Sequence, residues 1–392
     1  MINLDSETRA QRAYMIALRR EFHRYPELSL KEFRTAQRIE EELNRMGVSC
    51  RRVGDTGVLG TLRGAGTGAN AVALRADIDA LPIEETNCAA YHSETSGVMH
   101  ACGHDAHTAC LLGAARILAH NREAFSGEIR LIFQPAEEIG QGAQSFLDAG
   151  ALEGVSRVFG LHTAPDLPAG KVGLKPGLNN AAVDRFCIQI TVRSAHVSAP
   201  QQGVDALYIA CQTVVSLQAL VTRRTAPTDP VILGVGTLRA GTTYNALAAS
   251  AALEGTTRTI TCDLREQLRE QITQVAQQTA ALYGGSAAAE WQSIASPLIN
   301  DAQVCREAAA AAASLQGADC VISDRALSLS GDNFAEYLLK TPGAYAYLGT
   351  GNPALPDTMH PLHSDRFDID EDALPLGAGL YAGYALSRLQ SA

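Results

Sequence analysis

Apolar residues gather in short continuous runs along the first third of the chain, at Val58–Leu62, Ala71–Arg75, Ile129–Gln134 and Val158–His162. Runs of this length, bounded by polar and turn-forming residues, predict buried strands. Helical stretches separate them. Ser29-Leu30-Lys31-Glu32 has the spacing of a capping box, and the helix it opens is expected to stop at Gly47. A second helix is expected over His104–Ala119. Strands alternating with helices of this size imply a mixed, mostly parallel sheet flanked by helices.

The rhythm changes in the middle of the chain. Phe186, Ile188, Ile190 and Val192 alternate with Cys187, Gln189, Thr191 and Arg193, the period of a strand with one solvated face. A helix near 204–221, strands near 231–238 and 249–257, a helix near 264–283 and a strand near 287–291 follow. The order βαββαβ is that of a ferredoxin-like unit. It is expected as an insertion at 182–292, with a discontinuous larger domain made of 1–181 and 293–392. After Pro297, an alanine-rich helix around 308–313, a strand over 344–348 and a final helix from Asp370 would rejoin the first sheet. A chain of 392 residues exceeds what one core usually fills, in keeping with two domains.

Composition narrows the function more by exclusion. A net charge of −10, from 42 acidic against 32 basic residues, argues against a nucleic-acid partner. Met1 to Arg24 lacks the apolar core of a signal peptide, and no apolar stretch reaches the ~18–20 residues that span a bilayer. The cytoplasm is the expected address, with no membrane partner. Nine cysteines without a CxxC pair do not suggest a disulfide framework.

Chemistry-bearing residues cluster in a few segments. His100-Ala101-Cys102-Gly103-His104-Asp105-Ala106-His107 packs thiol, imidazole and carboxylate around a glycine, a set suited to a divalent metal. Gln134-Pro135-Ala136-Glu137-Glu138 puts two carboxylates just after a strand, where open α/β sheets place their ligands. His162 ends another strand, and His363 lies in the polar segment Pro361-Leu362-His363-Ser364. Each alone has an ordinary reading: a chance Cys-x-His, a solvated acidic pair, a structural histidine. Their joint placement near strand ends of one sheet raises the case for a metal site and leaves the metal open.

These segments together resemble the metallopeptidase and amidohydrolase family that includes carboxypeptidase G, aminoacylase and hippurate hydrolase. The similarity is strongest to the branch of hippurate hydrolase and the plant indoleacetyl-amino-acid hydrolases. It runs from Leu18-Arg19-Arg20-Glu21-Phe22-His23-Arg24-Tyr25-Pro26-Glu27 through Leu74–Pro82, His100–His107, Gln134–Glu138 and Gly160–His162 to Leu362-His363-Ser364. The resemblance implies a dinuclear-metal exopeptidase-like domain with a ferredoxin-like dimerisation or lid domain inserted in it. It implies two divalent ions (Mn, Zn, Co or Ni) on Cys102, His104, Glu138, His162 and His363. Glu137 would be the general base, with Asp79 and Asp105 orienting ligands; His107 shares the motif without an assigned role. His196, in Ser194-Ala195-His196, would reach a partner subunit's active site and stabilise an oxyanion there, making the protein a homodimer. Asn245 and Arg258 would grip a substrate carboxylate.

This sequence departs from the family pattern in three places. Asn-Val-Ile-Pro becomes Asn245-Ala246-Leu247-Ala248, Gly-Gly-His-Gly becomes Ser194-Ala195-His196-Val197, and Gly-Glu-Asp-Phe becomes Gly331-Asp332-Asn333-Phe334. All three touch expected substrate contacts or the loop beside them and leave the ligand set intact. The expected activity is hydrolysis of an N-acyl amino acid or a related small amide carrying a carboxylate. The alternatives are a dipeptidase or carboxypeptidase, a thiol hydrolase using Cys102 with His104 or His107, and a non-catalytic binding homologue.

Overall fold

The computed structural model describes residues 2–389. The chain divides into two compact units: 1–179 with 299–326 and 333–392, and 180–298 with 327–332.

The first unit opens with helices α1 (Leu4–Ala10), α2 (Arg12–Arg24) and α3 (Phe33–Arg45). Strands β1 (Ser49–Val53), β2 (Gly57–Arg63) and β3 (Gly66–Asp77) follow, then α4 (His104–His120), β4 (Ser126–Gln134), β5 (Val155–Pro168) and β6 (Val172–Gly173). Its eight-stranded sheet runs β1-β2-β4-β3-β5, then Gly343–Gly351, β6 and Val321–Ile322. The four central strands β4, β3, β5 and Gly343–Gly351 are mutually parallel, while β1 and β2 join antiparallel at one edge. Helix α4 is buried almost all round, as its composition from His104 to His120 demands of a helix with no polar face. It packs with α2 and the final helix Leu374–Leu389 over the sheet. The C-terminal ends of β3 and β4, where parallel sheets build sites, deliver Asp77 and Gln134, and His162 lies within the longer β5.

The capping box expected at Ser29 does not form. The Ser29 hydroxyl donates to Asp79 Oδ2 at 2.7 Å, and the first amides of α3, Arg34 N and Thr35 N, are accepted by Glu27. Glu32 instead turns inward and accepts from Ala136 N at 2.9 Å. The helix does end at Met46-Gly47, with Gly47 at φ +66°.

The second unit is a four-stranded antiparallel sheet in the order Ser286–Ala295, Ala182–Thr191, Ser250–Thr259, Ile232–Ala240. Numbered along the chain this is 4-1-3-2, the ferredoxin-like arrangement. Helices Ala206–Ala219 and Cys262–Leu282 cover one face. Phe186, Ile188, Ile190 and Leu253 form its core with Ile209, Leu217, Leu268 and Ile272. Among the described residues, no helix is long and apolar enough to cross a membrane.

Candidate metal centre

Four backbone features bring the ligand-type residues together in the first unit. Gly103 (φ +84°) turns the chain into α4, so Cys102 and His104 flank the helix start. Ala136 (φ +58°) turns it again after β4 and sets Glu137 and Glu138. His162 lies within the buried strand β5. His363 (φ +64°) donates its backbone N–H to Ala101 O at 2.8 Å, which fastens the C-terminal loop beside Cys102. Positive φ at two non-glycine residues of one site is local strain held in place by its surroundings.

The donor atoms converge. Cys102, His104 and His162 offer atoms within 4.8 Å of one another; so do Cys102, Glu138 and His363, and His104, Glu137 and Glu138. His104 Nδ1 lies 2.9 Å from Asp79 O and 3.2 Å from Asp79 Oδ1, so this nitrogen donates to Asp79 and Nε2 is the atom left to face the cluster. That Nε2 is buried with no hydrogen-bond partner, 3.8 Å from Glu138 Oε1, which is equally unpartnered. His162 Nδ1 donates to Thr163 O at 2.8 Å, turning its Nε2 toward Cys102 Sγ at 3.4 Å. His363 Nε2 stands 3.5 Å from Glu138 Oε2. Buried polar atoms facing one another without hydrogen-bond partners are costly alone, and a bound cation would satisfy them. The set of one thiol, three imidazoles and a carboxylate fits two divalent metal ions.

Burial governs the charge states. It pushes the Cys102 thiol well above its ordinary value, with Glu138 adding to the effect. It raises Glu138 to about 7 and holds His162 well below the usual imidazole range, so His162 is a neutral imidazole. For His104 burial works against the cation, but Asp77, Cys102 and Asp79 outweigh it and shift the ring upward.

Three further residues complete the scaffold. Asp77, which the sequence reading passed over, is fully buried between Arg75 Nη1 at 2.7 Å and His107 Nδ1 at 2.5 Å. His107 Nε2 accepts from Thr163 N at 2.8 Å. Both ring nitrogens of His107 are thus engaged, and the residue ties Asp77 to the backbone beside His162. Asp79 spans Ser29, His104 and the backbone N–H of Glu138. Asp105 faces away from the donor cluster: its Oδ2 meets Arg19 Nε at 2.9 Å and His23 Nδ1 at 2.8 Å. It holds α4 to α2 and touches no ligand-type residue of the cluster. Arg75 and Asp77 have a legible signal in the run Leu74-Arg75-Ala76-Asp77-Ile78-Asp79, where charged residues alternate with apolar ones.

The other expected residues belong to the second unit. His196 bridges Ala246 in antiparallel fashion, and Val197 N donates to Asn245 O at 3.2 Å, so His196 and Asn245 occupy neighbouring strand-like segments. His196 Nδ1 accepts from Ser198 N at 3.1 Å, and Thr243 Oγ1 donates to Asn245 Oδ1 at 3.0 Å. Arg258, on Ser250–Thr259, is held by Leu329 O and Thr257 O through Nε and Nη1.

Comparison with known proteins accords with this geometry. Residues 73–387 match the model of peptidase family M20/M25/M40. The chain is 42% identical over 364 residues to the N-acetyl-L-cysteine deacetylase of Bacillus subtilis (strain 168), covering 92% of this chain and 84% of that protein. It is 36% identical to thermostable carboxypeptidase 1 of Saccharolobus solfataricus, covering 97% and 96% of the two chains. Among solved structures, it superimposes with a TM-score of 0.83 on the Bacillus subtilis YxeP protein, a dinuclear metal-binding peptidase of the M20 family, at 35% identity over 97% of this chain and 99% of that one. Sequence, fold and donor set agree: the chain belongs to peptidase family M20/M25/M40 and is a metal-dependent amidohydrolase of that family.

Proposed function

We propose that the protein hydrolyses the amide bond of N-acyl amino acids, small acyl groups foremost, with Glu137 as general base. The observation that carries this reading is the Glu137 carboxylate beside His104 and Glu138, the three offering donor atoms within 4.8 Å of one another. Cys102, His104, Glu138, His162 and His363 are the residues proposed to hold two divalent ions, Mn, Zn, Co or Ni. When bound, such ions polarise a carbonyl and make water acidic enough to lose a proton near neutral pH. Glu137 takes that proton as the water oxygen bonds to the acyl carbon. It then delivers the proton to the amine nitrogen as the C–N bond breaks, leaving a carboxylate and a free amino acid. Asp79 keeps His104 in the tautomer that presents Nε2.

In the second unit, Arg258 and Asn245 are proposed to receive the substrate carboxylate, for which a guanidinium fork is suited. His196 is proposed to steady the oxyanion in a partner subunit's site, which makes the protein a homodimer. Nine free cysteines suit a reducing compartment, and the cytoplasm is the proposed location. A second reading, cleavage of short peptides from the carboxyl end, is favoured by the similarity to a thermostable carboxypeptidase.

The test is turnover of a panel of N-acetyl, N-benzoyl and dipeptide substrates, by metal-stripped protein and after return of each metal. Activity that follows the metal, prefers N-acyl amino acids and is abolished in Glu137→Gln supports the reading. Preference for dipeptides moves it to the second one. Chelation-resistant activity that is lost in Cys102→Ser overturns it.

A further inference from the structure

We infer that Asn333 is a positioning residue that fixes the proposed base Glu137 and couples it to the Arg75–Asp77 pair beneath the donor cluster. The inference rests on Glu137 being the base. Asn333 is 1% exposed and uses every polar group it has. Its backbone N–H donates to Glu137 Oε1 at 3.2 Å. Its Nδ2 donates to Gln141 O at 2.6 Å, which closes the turn that carries Glu137 and Glu138. Its Oδ1 accepts from Arg75 Nη2 at 3.1 Å and from Gln134 Nε2 at 2.8 Å. Arg75 in turn donates through Nη1 to Asp77 Oδ2 at 2.7 Å, and Asp77 binds His107.

One amide side chain therefore spans three pieces of backbone: the end of β4 through Gln134, the turn after it through Gln141, and β3 through Arg75. Each bond fixes a different direction, so the backbone N–H aimed at Glu137 has little freedom. The residue type matters. A carboxylate at 333 would still accept from Arg75 and Gln134, but would set an oxygen against the Gln141 carbonyl where the amide now donates. Glu137 has no covalent reason to point one way, since its side chain rotates about three bonds. A base displaced by about 1 Å loses on the order of 100-fold in rate. Asn333 touches no reacting atom in this scheme and acts only through the carboxylate.

The experiment is a double-mutant cycle on metal-loaded protein, with Asn333→Ala and Asn333→Asp each made in wild type and in Glu137→Asp, whose base is already displaced. Bound metal per chain and the circular-dichroism melt are recorded for every variant. In wild type, Asn333→Ala is expected to lower kcat about 100-fold with KM changed by less than about threefold. Asn333→Asp, which keeps the Arg75 contact, is expected to fall between Asn333→Ala and wild type. In Glu137→Asp, Asn333→Ala should change kcat by less than about threefold, because its target is already misplaced. Equal fold-losses in both backgrounds would overturn the inference, as would a kcat unchanged in Asn333→Ala, or a loss explained by missing metal. If Glu137→Gln itself stays active, the reading of Glu137 as base fails first, and the two failures are told apart.

Discussion

Substituting alanine for Gly103 adds a single carbon between two ligand-type residues, and the structure fixes what that carbon meets. A Cβ built there lies 2.4 Å from Thr163 Oγ1 and 3.0 Å from Thr163 Cγ2, in a backbone held at φ +84°. The left-handed conformation costs a non-glycine residue ~1–2 kcal/mol. Relieving the overlap in a packed core adds ~1–3 kcal/mol. The sum is ~2–5 kcal/mol. Thr163 cannot simply swing aside, because its Oγ1 donates to Cys102 O at 3.0 Å and its N–H donates to His107. In a Thr163→Ala background the nearest atom of residue 163 becomes Cβ at 3.2 Å, so the overlap shrinks and the penalty of Gly103→Ala falls toward the backbone cost of ~1–2 kcal/mol. The measurement is the urea midpoint of metal-free protein for both singles and the double, read by circular dichroism, which keeps metal linkage out of the comparison. Separately, metal affinity of Gly103→Ala should weaken ~10–100-fold, as when the support of a metal ligand is disturbed. Gly103→Ala with wild-type stability and wild-type metal affinity would refute the reasoning. So would a penalty that is the same in both backgrounds, since the overlap with Thr163 would then be contributing nothing.

Arg19→Met strips the buried guanidinium from Asp105 (2.9 Å) and Asp368 (2.7 Å); a loss of ~3–5 kcal/mol is expected in chemical unfolding, because both carboxylates lose the cation between them and keep His23 and Tyr91 as side-chain partners. Glu42 receives Tyr14, Arg38 and Arg45; burial pushes its carboxyl up, but these partners outweigh it and hold it below the usual range. Stability from such a group is present above the unfolded value of about 4.3 and fades as pH falls through the folded one. Glu42→Gln should therefore lower the melting temperature at pH 7, with the gap to wild type closing as pH drops below about 4. Removing metal with a chelator should lower the melting temperature, and free metal at about a thousand times its Kd should restore ~4 kcal/mol. A melt indifferent to metal would contradict the fit of the donor cluster.

How much of this was legible follows from physics at each position. Strands β4 and β5 and helix α4 announce themselves because most of their side chains are buried and apolar residues dominate them. The inserted sheet is equally plain, since one wet face forces strict alternation at Phe186, Ile188 and Ile190. Helices α1 and α2 carry many Arg and Glu residues and escaped notice; Arg19 and His23 on α2 are wholly buried, which no polarity pattern would suggest. The segment Leu327–Asp332 packs with the second unit through pairings such as Asn180–Ser328, distant in sequence and invisible to periodicity. Within the donor cluster, Cys102, His104, Glu138, His162 and His363 stand out as residue types, and the structure places their donor atoms close together. Asn333 and Gln134 do not stand out, because an amide is an ordinary loop residue until its partners are known.

The proposed division between Glu137 and Glu138 shows where residue type stops being informative. The two side chains are chemically identical and adjacent, so nothing in their composition tells a base from a ligand. The turn does. Glu138 N donates to Asp79 Oδ2 at 3.0 Å, and its carboxylate oxygens face His104 Nε2 and His363 Nε2. Glu137 is presented instead to the backbone N–H of Asn333. Ala136 at φ +58° makes that divergence possible, and its strain is held by Glu32 accepting its N–H and by Gln141 N donating to its carbonyl. Glu32 is thus where the misjudged capping box and the donor cluster meet. The carboxylate that a capping box would use at the start of α3 is spent on Ala136, and Glu27 takes over that helix start. A local rule fails at the point where a distant strained residue needs the same side chain more.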